Sequence, residues 1–372
     1  MRDSSTIVAR GPLAWASLES TEPRRLWRFV LPALITLACL TALNTPLPYY
    51  AQYPGGATPV NPLVGVPADR AYPAKGRILL TTVALQYRPT VLESFQGWLN
   101  PDVDVYPEEV LLGDRTVEQF REVNMQDIDN SKDVAIAVAL RRLGYPVKQV
   151  GSGAIVEAVS ENTPARAFLF PGDVIVAAGG QPVGLVDEVQ RAVIARQPGD
   201  VLPLEVLSPD GSRRSVSVPL VPCPPDATCP RGARAVMGVE LVTRDERFEL
   251  PFEVTIESED IGGPSAGLAF ALTVIDMLTP GELTGTPDGR TIAVTGTIDF
   301  EGRVGPIGGV RQKAAAVSEA DVNVFLVPDA NAADARSNAA DDLSIVPVTD
   351  LESALAALAK LGGDMSGIGP PP

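Results

Sequence analysis

The run from Pro264 to Leu278, PSAGLAFALTVIDML, constrains the fold more than any other segment of the chain. It is apolar on almost every side, so as a helix it must be covered all round by other elements. Pro264 suits the first helical position, where a missing N–H costs nothing. Ser265 then stands in the first turn. A buried helix of this kind requires a layered domain, and it carries a hydroxyl at its start.

Ser265 is a candidate nucleophile because of where the predicted helix places it. The N–H groups of a first helical turn are unpaired and the helix dipole is positive there, so an anion formed beside the hydroxyl would meet donors directly. Gly263 precedes the Pro264-Ser265 pair and Ala266 follows it, and glycine lets a substrate backbone approach closely. The alternative is a glycine turn that only caps a buried helix.

Composition excludes several classes of function. The length of 372 residues suggests two or three domains, and a hydrophobic content of 45% supports real cores. The net charge of −16 argues against nucleic-acid partners. The chain has no histidine, which removes Ser-His-Asp triads and the usual zinc and haem ligand sets, so we expect no metal and no cofactor. No G-x-x-x-x-G-K-[ST] stretch is present, which excludes a P-loop ATPase module on this chain.

The N-terminal segment predicts a membrane anchor. Arg24, Arg25 and Arg28 precede an apolar run from 29 to 43, and no Lys or Arg follows until Arg70. This asymmetry predicts a cytoplasmic tail (1–25), a signal anchor (26–46) and an extracytoplasmic remainder of a single-pass cell-membrane protein. A cleaved signal peptide and a lipoprotein cysteine at Cys39 are alternatives, but neither has a good processing site.

Residues 47–145 are predicted to form a membrane-proximal region. Its first part is rich in Pro, Gly and Ala and is typical of a loop, and GRILLTTVAL (76–85) is typical of a strand. The segment 114–144 is predicted to be helical, with Ser131 as a plausible N-cap of its second half.

Residues 146–222 predict a small β-rich domain. A strand, a short helix at TPARAFLF, a strand opened by Gly172-Asp173, a longer helix and a hairpin turning at Asp210-Gly211 follow one another. This order resembles a bacterial PDZ domain, and PDZ domains bind an extended peptide end at a sheet edge. Leu143, Gly144 and Tyr145 are the nearest match to the carboxylate-binding loop. The alternative is a module that only packs against the next domain.

The remaining segments complete the predicted order of domains. A proline-rich linker (223–235) contains Cys223 and Cys229, which could form a disulfide in an oxidising compartment. Residues 236–362 alternate strands with helices and predict an α/β domain. The segment 363–372 is predicted to be a disordered tail.

Without histidine, a base for Ser265 must be another residue, and lysine is the best candidate. The chain has only five lysines. Lys313 shares one helical face with Val310, Ala314 and Val317, and a lysine on an apolar stripe is unusual because lysine is almost never buried alone. Burial beside a helix start disfavours its protonated form, and a neutral amine could take the serine proton. A lysine that snorkels to solvent is the alternative.

The two motifs together resemble the proteolytic domain of Lon proteases. Gly263 to Gly267 match the family's Gly-Pro-Ser-Ala-Gly turn, and Pro306 to Gly309 match the Pro-Ile-Gly-Gly turn that precedes its catalytic lysine. The resemblance implies that Thr295 hydrogen-bonds Lys313, and that the domain could form hexameric rings. Lon proteases with an ATPase often carry an acid three residues before the serine. Here Gly262 stands at that position, and the resemblance does not establish whether nearby Asp260 replaces the acid.

An anchor, a PDZ-like module and a Lon-type domain in this order resemble the ATPase-free, PDZ-containing Lon-like family of bacterial envelopes. The resemblance implies a membrane-anchored, ATP-independent serine endopeptidase that cleaves extracytoplasmic proteins or peptides. Two other readings use the same motifs. GGPSAGLAFA could cradle phosphate as in small-molecule kinases, or the PDZ-like groove could serve a non-catalytic scaffold.

Overall fold

The computed structural model describes residues 23–223, 234–258, 261–285 and 290–369, and these fall into two compact units. The helices are α1 (Pro23–Leu43), α2 (Val91–Leu99), α3 (Glu108–Leu112), α4 (Val117–Arg142), α5 (Val186–Ile194), α6 (Gly267–Leu278), α7 (Val310–Glu319), α8 (Ala332–Arg336) and α9 (Leu351–Lys360).

Twenty strands are described. They are β1 (Tyr49–Pro59), β2 (Val64–Gly65), β3 (Arg77–Tyr87), β4 (Asp104–Pro107), β5 (Lys148–Val150), β6 (Ala154–Val159), β7 (Val174–Ala178), β8 (Gln181–Pro182), β9 (Val201–Leu207), β10 (Arg213–Pro219), β11 (Val221–Pro222), β12 (Ala235–Val236), β13 (Val239–Thr243), β14 (Arg247–Glu249), β15 (Thr255–Ile256), β16 (Thr291–Val294), β17 (Thr297–Ile298), β18 (Val304–Gly305), β19 (Val324–Pro328) and β20 (Ser344–Val348).

The first unit comprises residues 1–51 and 86–111, and its described part holds α1, α2, β4, most of α3, the start of β1 and the end of β3. Helix α2 begins with a capping box: Glu93 N donates to Thr90 Oγ1 at 3.3 Å, and Thr90 N donates to Glu93 Oε2 at 2.7 Å. Across the described parts of the chain, no helix combines the length and the apolar character of a membrane span.

The second unit comprises residues 52–85 and 112–372 and is built on a largely parallel sheet. Within it the strand order is β20-β19-β16-β3-β1. Strand β16 is parallel to both β3 and β19, and β19 is parallel to β20. The central strands β16 and β19 are almost wholly buried because both faces of a parallel sheet are covered.

Side chains alternate between the two faces of this sheet. Leu79, Ala293 and Phe325 join a cluster with α7 and α8, whereas Ile78 and Ile292 join a larger cluster with α4, α6 and α9. Helix α6 is buried along its whole length except at Met277, as its composition predicts. Helix α6 lies between the sheet and α4, and the turn that leads into it carries Ser265.

The sheet is completed by chain that precedes the PDZ-like region. Residues 236–362 supply β16, β19 and β20, but β3 from the predicted membrane-proximal region is the parallel neighbour of β16. Helix α4 from the same region packs on α6. Strand β3 and helix α4 precede the PDZ-like region in the chain, and their partners β16 and α6 follow it. The PDZ-like region is therefore an insertion in the α/β domain.

Helix α4 begins well before Ser131, the predicted N-cap of its second half. It starts after Thr116, which forms a capping box with Gln119, and runs unbroken to Arg142. Ser131 was predicted as an N-cap, and this is wrong: it lies in mid-helix, buried, with its hydroxyl donating to another element.

The PDZ-like region forms an antiparallel sheet of order β10-β9-β7-β6-β13, with β8 beside β7. The predicted hairpin joins β9 to β10, with Gly211 at a φ of +83°. Buried Asp173 is paired with Arg214 of β10. Strand β13 comes from beyond the predicted linker, so this sheet extends past residue 222.

Residues 363–369, part of the predicted tail, lie against the core of the second unit. Asp364 N donates to Glu282 O at 2.9 Å, and Met365 and Ile368 pack on the larger cluster. These contacts explain why the segment follows the domain surface. Residues 370–372 lie outside the described part of the chain.

Candidate active site

The serine turn is held rigidly by α4. Gly263 has a φ of +84°, and residues 264–266 form a single 3₁₀ turn that leads into α6. Gly263 N donates to Asn124 O at 2.8 Å, and Ser131 Oγ donates to Pro264 O at 3.1 Å. The turn therefore presents Ser265, which is half-buried, at a fixed position.

Gly267 is required by the packing at the start of α6. A Cβ at this position would lie 2.7 Å from Ser131 Oγ and 3.0 Å from Ile298 Cγ2. Helix α4 and the strand that follows β16 can approach the serine turn this closely only because the residue has no side chain.

Lys313 reaches Ser265 from the first turn of α7. Its Nζ lies 2.7 Å from Ser265 Oγ and 3.1 Å from Thr295 Oγ1, and the side chain is 2% exposed. The predicted apolar stripe places it there, since Val310, Ala314 and Val317 of α7 are buried against the sheet. The three polar side chains that the sequence singled out are thus brought together.

Burial lowers the pKa of the Lys313 amine from 10.5 to about 7. The physical cause is desolvation, which penalises the ammonium form more than the neutral amine. At neutral pH about half of the molecules then carry a neutral amine, against roughly one in three thousand for an unshifted lysine.

Thr295 fixes the orientation of that amine. Its Oγ1 is fully buried and donates to Ser265 O at 3.2 Å, and the adjacent Gly296 N donates to the same carbonyl at 2.8 Å. Because the threonine hydrogen is used in this bond, its oxygen accepts an N–H from Lys313. The lone pair of a neutral Lys313 amine is then left for the Ser265 hydroxyl.

The backbone N–H groups at the serine differ in what they can do. Gly263 N already donates to Asn124 O, so Gly263 supports the turn and cannot bind an oxyanion. The N–H groups of Ser265 and Ala266 belong to the first turn, where a helix provides no acceptor. These two are the candidate donors to a negative charge on a reacting carbonyl oxygen.

Two residues at the site were not found from the sequence. Asn124 and Ser131 lie more than a hundred positions before the serine and act through contacts between α4 and the turn. A buried serine on the apolar face of a long helix was the signal available for Ser131. Gly262 is exposed, and Asp260 lies outside the described residues.

Leu143, Gly144 and Tyr145 form the C-terminal cap of α4. Gly144 has a φ of +82°, and Tyr145 N donates to Leu140 O at 3.0 Å. Leu143 and Tyr145 pack on the larger core cluster of the α/β domain. The structure therefore does not bring these three residues to the free edge of the PDZ-like sheet.

The PDZ-like sheet ends at β10 on one side and at β13 on the other, and β13 is the edge strand that contacts helix α5. Among the described strands β13 is the last in that sheet, paired on one side with β6. Helix α5 lies beside it, with Val186 N donating to Thr243 Oγ1 at 3.2 Å. Gly238, which directly precedes β13, has a φ of +79°.

Of the two cysteines in the predicted disulfide, the structure describes Cys223. Cys223 is disulfide-bonded, whereas Cys39 is free and exposed. Cys229 lies outside the described residues.

Two family models match this chain. The model of the Lon protease (S16) C-terminal proteolytic domain matches residues 258–360, and a PDZ-domain model matches residues 141–220. The first match contains Ser265, Thr295 and Lys313.

Curated relatives match over the same C-terminal region. The Lon protease of Azorhizobium caulinodans is 36% identical over 113 residues, which is 30% of this chain and 13% of that protein. The Lon protease of Rickettsia bellii is 32% identical over 111 residues, which is 29% of this chain and 14% of that protein. The matched region is therefore only a small part of each relative.

A solved PDZ domain of an SdrC-like protein from Listeria monocytogenes is 19% identical, with a TM-score of 0.22, and the match covers 24% of this chain and 88% of that one. That TM-score is too low to add to what the family models show. By those models and relatives, the chain contains a Lon-type (S16) proteolytic domain together with a PDZ domain.

Proposed function

We propose that the chain is a serine endopeptidase in which Ser265 is the nucleophile and Lys313 the general base, and that it works without ATP. One observation carries the proposal: a buried amine with a pKa of about 7 lies 2.7 Å from the hydroxyl of a half-exposed serine. This is the geometry that a nucleophile and its base require.

The proton movements follow from the hydrogen bonds. As Ser265 Oγ attacks the scissile carbonyl carbon, its proton passes to the neutral Lys313 amine, and the carbonyl oxygen becomes an oxyanion. When the tetrahedral intermediate collapses, Lys313 returns the proton to the leaving amine and an acyl-serine remains. A water then attacks the acyl carbon by the same route, with Lys313 again taking and returning the proton.

Thr295 acts on the base, not on the substrate. Its hydroxyl accepts one N–H of Lys313 at 3.1 Å and donates to Ser265 O, which keeps the amine lone pair directed at Ser265 Oγ. The first-turn N–H groups of Ser265 and Ala266 stabilise the oxyanion, and each such donor contributes about 3 kcal/mol in comparable sites.

The PDZ domain presents substrate in this proposal. A peptide end would add as a strand to the free edge of β13 and lie along α5. The support is the place of β13 at the end of its sheet and of α5 beside it. Protein or peptide substrates would then reach Ser265 after capture by this edge.

Anchoring in a membrane is also part of the proposal. We propose that α1 holds the protein in the cell membrane with the N-terminus in the cytoplasm and both domains outside. The support is the arginine asymmetry around the apolar run and the exposure of large apolar side chains along α1, such as Phe29, Leu34 and Leu37. Assembly into a hexamer rests on the resemblance alone, and the mass of the solubilised complex would test it.

The test uses the full chain in lipid nanodiscs with an unfolded protein as substrate. We expect wild type to cleave it and to be labelled at Ser265 by a peptide boronate or phosphonate, and Ser265→Ala to do neither. Ser337→Ala, an exposed serine of the same domain, is the matched control and should behave as wild type. Cleavage that survives in Ser265→Ala refutes the proposal. Binding of peptides without cleavage in wild type would favour a scaffold, and transfer of phosphate from ATP a kinase-like domain.

A further inference from the structure

Helix α2 of the first unit exposes an apolar face. Leu92 (41%), Phe95 (55%), Trp98 (58%) and Leu99 (69%) are exposed and recur at i, i+3, i+6 and i+7, which is one side of a helix. A surface helix of a globular domain usually has the opposite pattern, with its apolar stripe towards the core. This face therefore lacks the polar side chains that water would favour.

The opposite side of α2 is fixed to the unit by small residues. Ser94 and Gly97 are its buried positions. A Cβ at Gly97 would lie 2.8 Å from Val105 Cγ2 of β4, so the helix packs closely on that strand. Rotating α2 to hide Phe95 and Trp98 would break this packing. The apolar face is thus held outward.

The start of α2 is tied to the chain that directly follows α1. Leu47 N donates to Pro89 O at 3.0 Å, and Val91 N donates to Thr45 O at 3.1 Å. Pro46 and Thr90 form an antiparallel bridge between these hydrogen bonds. Helix α1 ends at Leu43. The first turn of α2 is consequently held within a few residues of the end of α1.

We propose that the exposed face of α2 rests in the interfacial layer of a lipid bilayer, as a second membrane contact beside α1. The inference rests on the proposed anchoring of α1: if α1 lies in the bilayer, the chain leaves it near Leu43, and the hydrogen bonds then hold α2 at that surface. The side chains have the chemistry that this layer favours, since Trp and Phe partition to the headgroup boundary. Trp98 also lies edge-on to Tyr49, with ring centroids 6.3 Å apart.

The charges on α2 determine how the proposed contact should depend on lipid charge and salt. Glu93 is the only charged residue of α2, and its carboxylate is engaged in the capping box at the helix start. Helix α2 has no lysine or arginine, and nearby Arg88 is paired with Glu108 at 3.1 Å, so attraction to anionic lipid contributes little. The contact should therefore form equally in zwitterionic bilayers and be insensitive to salt.

The test is fluorescence quenching by brominated phosphatidylcholine in nanodiscs that hold the full chain. Trp15→Phe with Trp27→Phe leaves Trp98 as the single reporter, and Trp15→Phe with Trp98→Phe leaves Trp27 in α1. We expect both reporters to be quenched by lipid brominated near the headgroup, with Trp98 emission shifted to the blue. Adding anionic lipid or 0.5 M salt (about a 4 Å screening length) should not change this.

Charge substitution tests the face itself. Phe95→Glu should reduce Trp98 quenching to the level seen with non-brominated lipid and leave Trp27 quenching intact. Gln96→Glu, an exposed neighbour at the border of the apolar face, adds the same charge and should retain more of the quenching than Phe95→Glu. Neither variant should change cleavage of a short soluble peptide, because α2 lies in a different unit from Ser265.

The outcomes separate this inference from the proposed function. Quenching of Trp27 without quenching of Trp98 overturns the inference and leaves the anchor intact. Quenching of neither refutes the anchor, and the inference with it, while peptidase activity is judged separately. A blue-shifted Trp98 that bromine does not quench indicates a protein partner on this face, for example a second copy, and also overturns the inference.

Discussion

Replacing Lys313 by methionine should stabilise the protein at neutral pH and less so at alkaline pH. The amine has a pKa of 10.5 when solvated and about 7 in the fold. Between these values the unfolded chain binds one proton more than the folded protein. The contribution of Lys313 to wild-type stability therefore rises with pH in this window by up to about 1.4 kcal/mol per pH unit.

The magnitude follows from the shift. A lowering of about 3.5 units costs the folded state about 5 kcal/mol at or below pH 7, and half of this cost has been regained near pH 9. Methionine at position 313 has no charge to desolvate, so this cost is absent. It loses the hydrogen bonds that Lys313 forms with Ser265 and Thr295, each contributing about 1 kcal/mol. We expect Lys313→Met to gain roughly 3 kcal/mol at pH 7 and about 2 kcal/mol less at pH 9.

Urea unfolding of detergent-solubilised protein at pH 7 and pH 9 measures this difference. Lys360→Met, which removes an exposed lysine from α9, is the control and should change the free energy of unfolding little at either pH. An equal effect of Lys313→Met at both pH values would refute the claim that the fold holds this amine neutral.

Three further substitutions test the residues around the proposed dyad. Thr295→Ala should lower kcat about 10-fold without abolishing activity, because the threonine orients the base but exchanges no proton with the substrate; peptide kinetics measure this. Ser131→Ala removes the hydrogen bond from α4 to the serine turn and should cost about 1 kcal/mol of stability and lower kcat, with the pH dependence of the rate unchanged. Gly309→Ala places a residue at a φ of +66° with its Cβ against the side chain of Gln52, so thermal unfolding should show a loss above about 1 kcal/mol. Gly308→Ala, whose Cβ would have nothing within 4 Å, is the control and should be tolerated.

The proposed nucleophile and base could be predicted from the sequence because local patterns carry them. The Gly-Pro-Ser turn before an apolar helix places Ser265 at a helix start, and the apolar spacing around Lys313 places an amine in the core. Each of these two patterns spans only about ten residues of sequence. The distance between them, 2.7 Å, depends on the packing of α6 and α7 on one sheet, which no local pattern contains.

The contacts supplied by distant segments could not be predicted in this way. Ser131 resembled a helix cap because Ser-Lys-Asp is typical of a helix start, yet the stronger capping box at Thr116 begins the helix earlier. Strand β3 was predicted as a strand, but its place beside β16 is set by tertiary pairing across two hundred residues. The same holds for β13, which comes from beyond the linker and forms an edge strand of the PDZ sheet.

The rate at which a phosphonate labels Ser265 tests the central claim most directly, because it reports activation of the hydroxyl without substrate binding by the PDZ domain. The account predicts a rate that rises through one ionisation near pH 7 and then stays level, since Lys313 titrates at about 7 and only its neutral form can take the proton. Lys313→Arg should not be labelled at any pH up to 10, because guanidinium keeps its proton. A wild-type rate that rises only near pH 10, or an arginine variant labelled at the wild-type rate, would contradict the account.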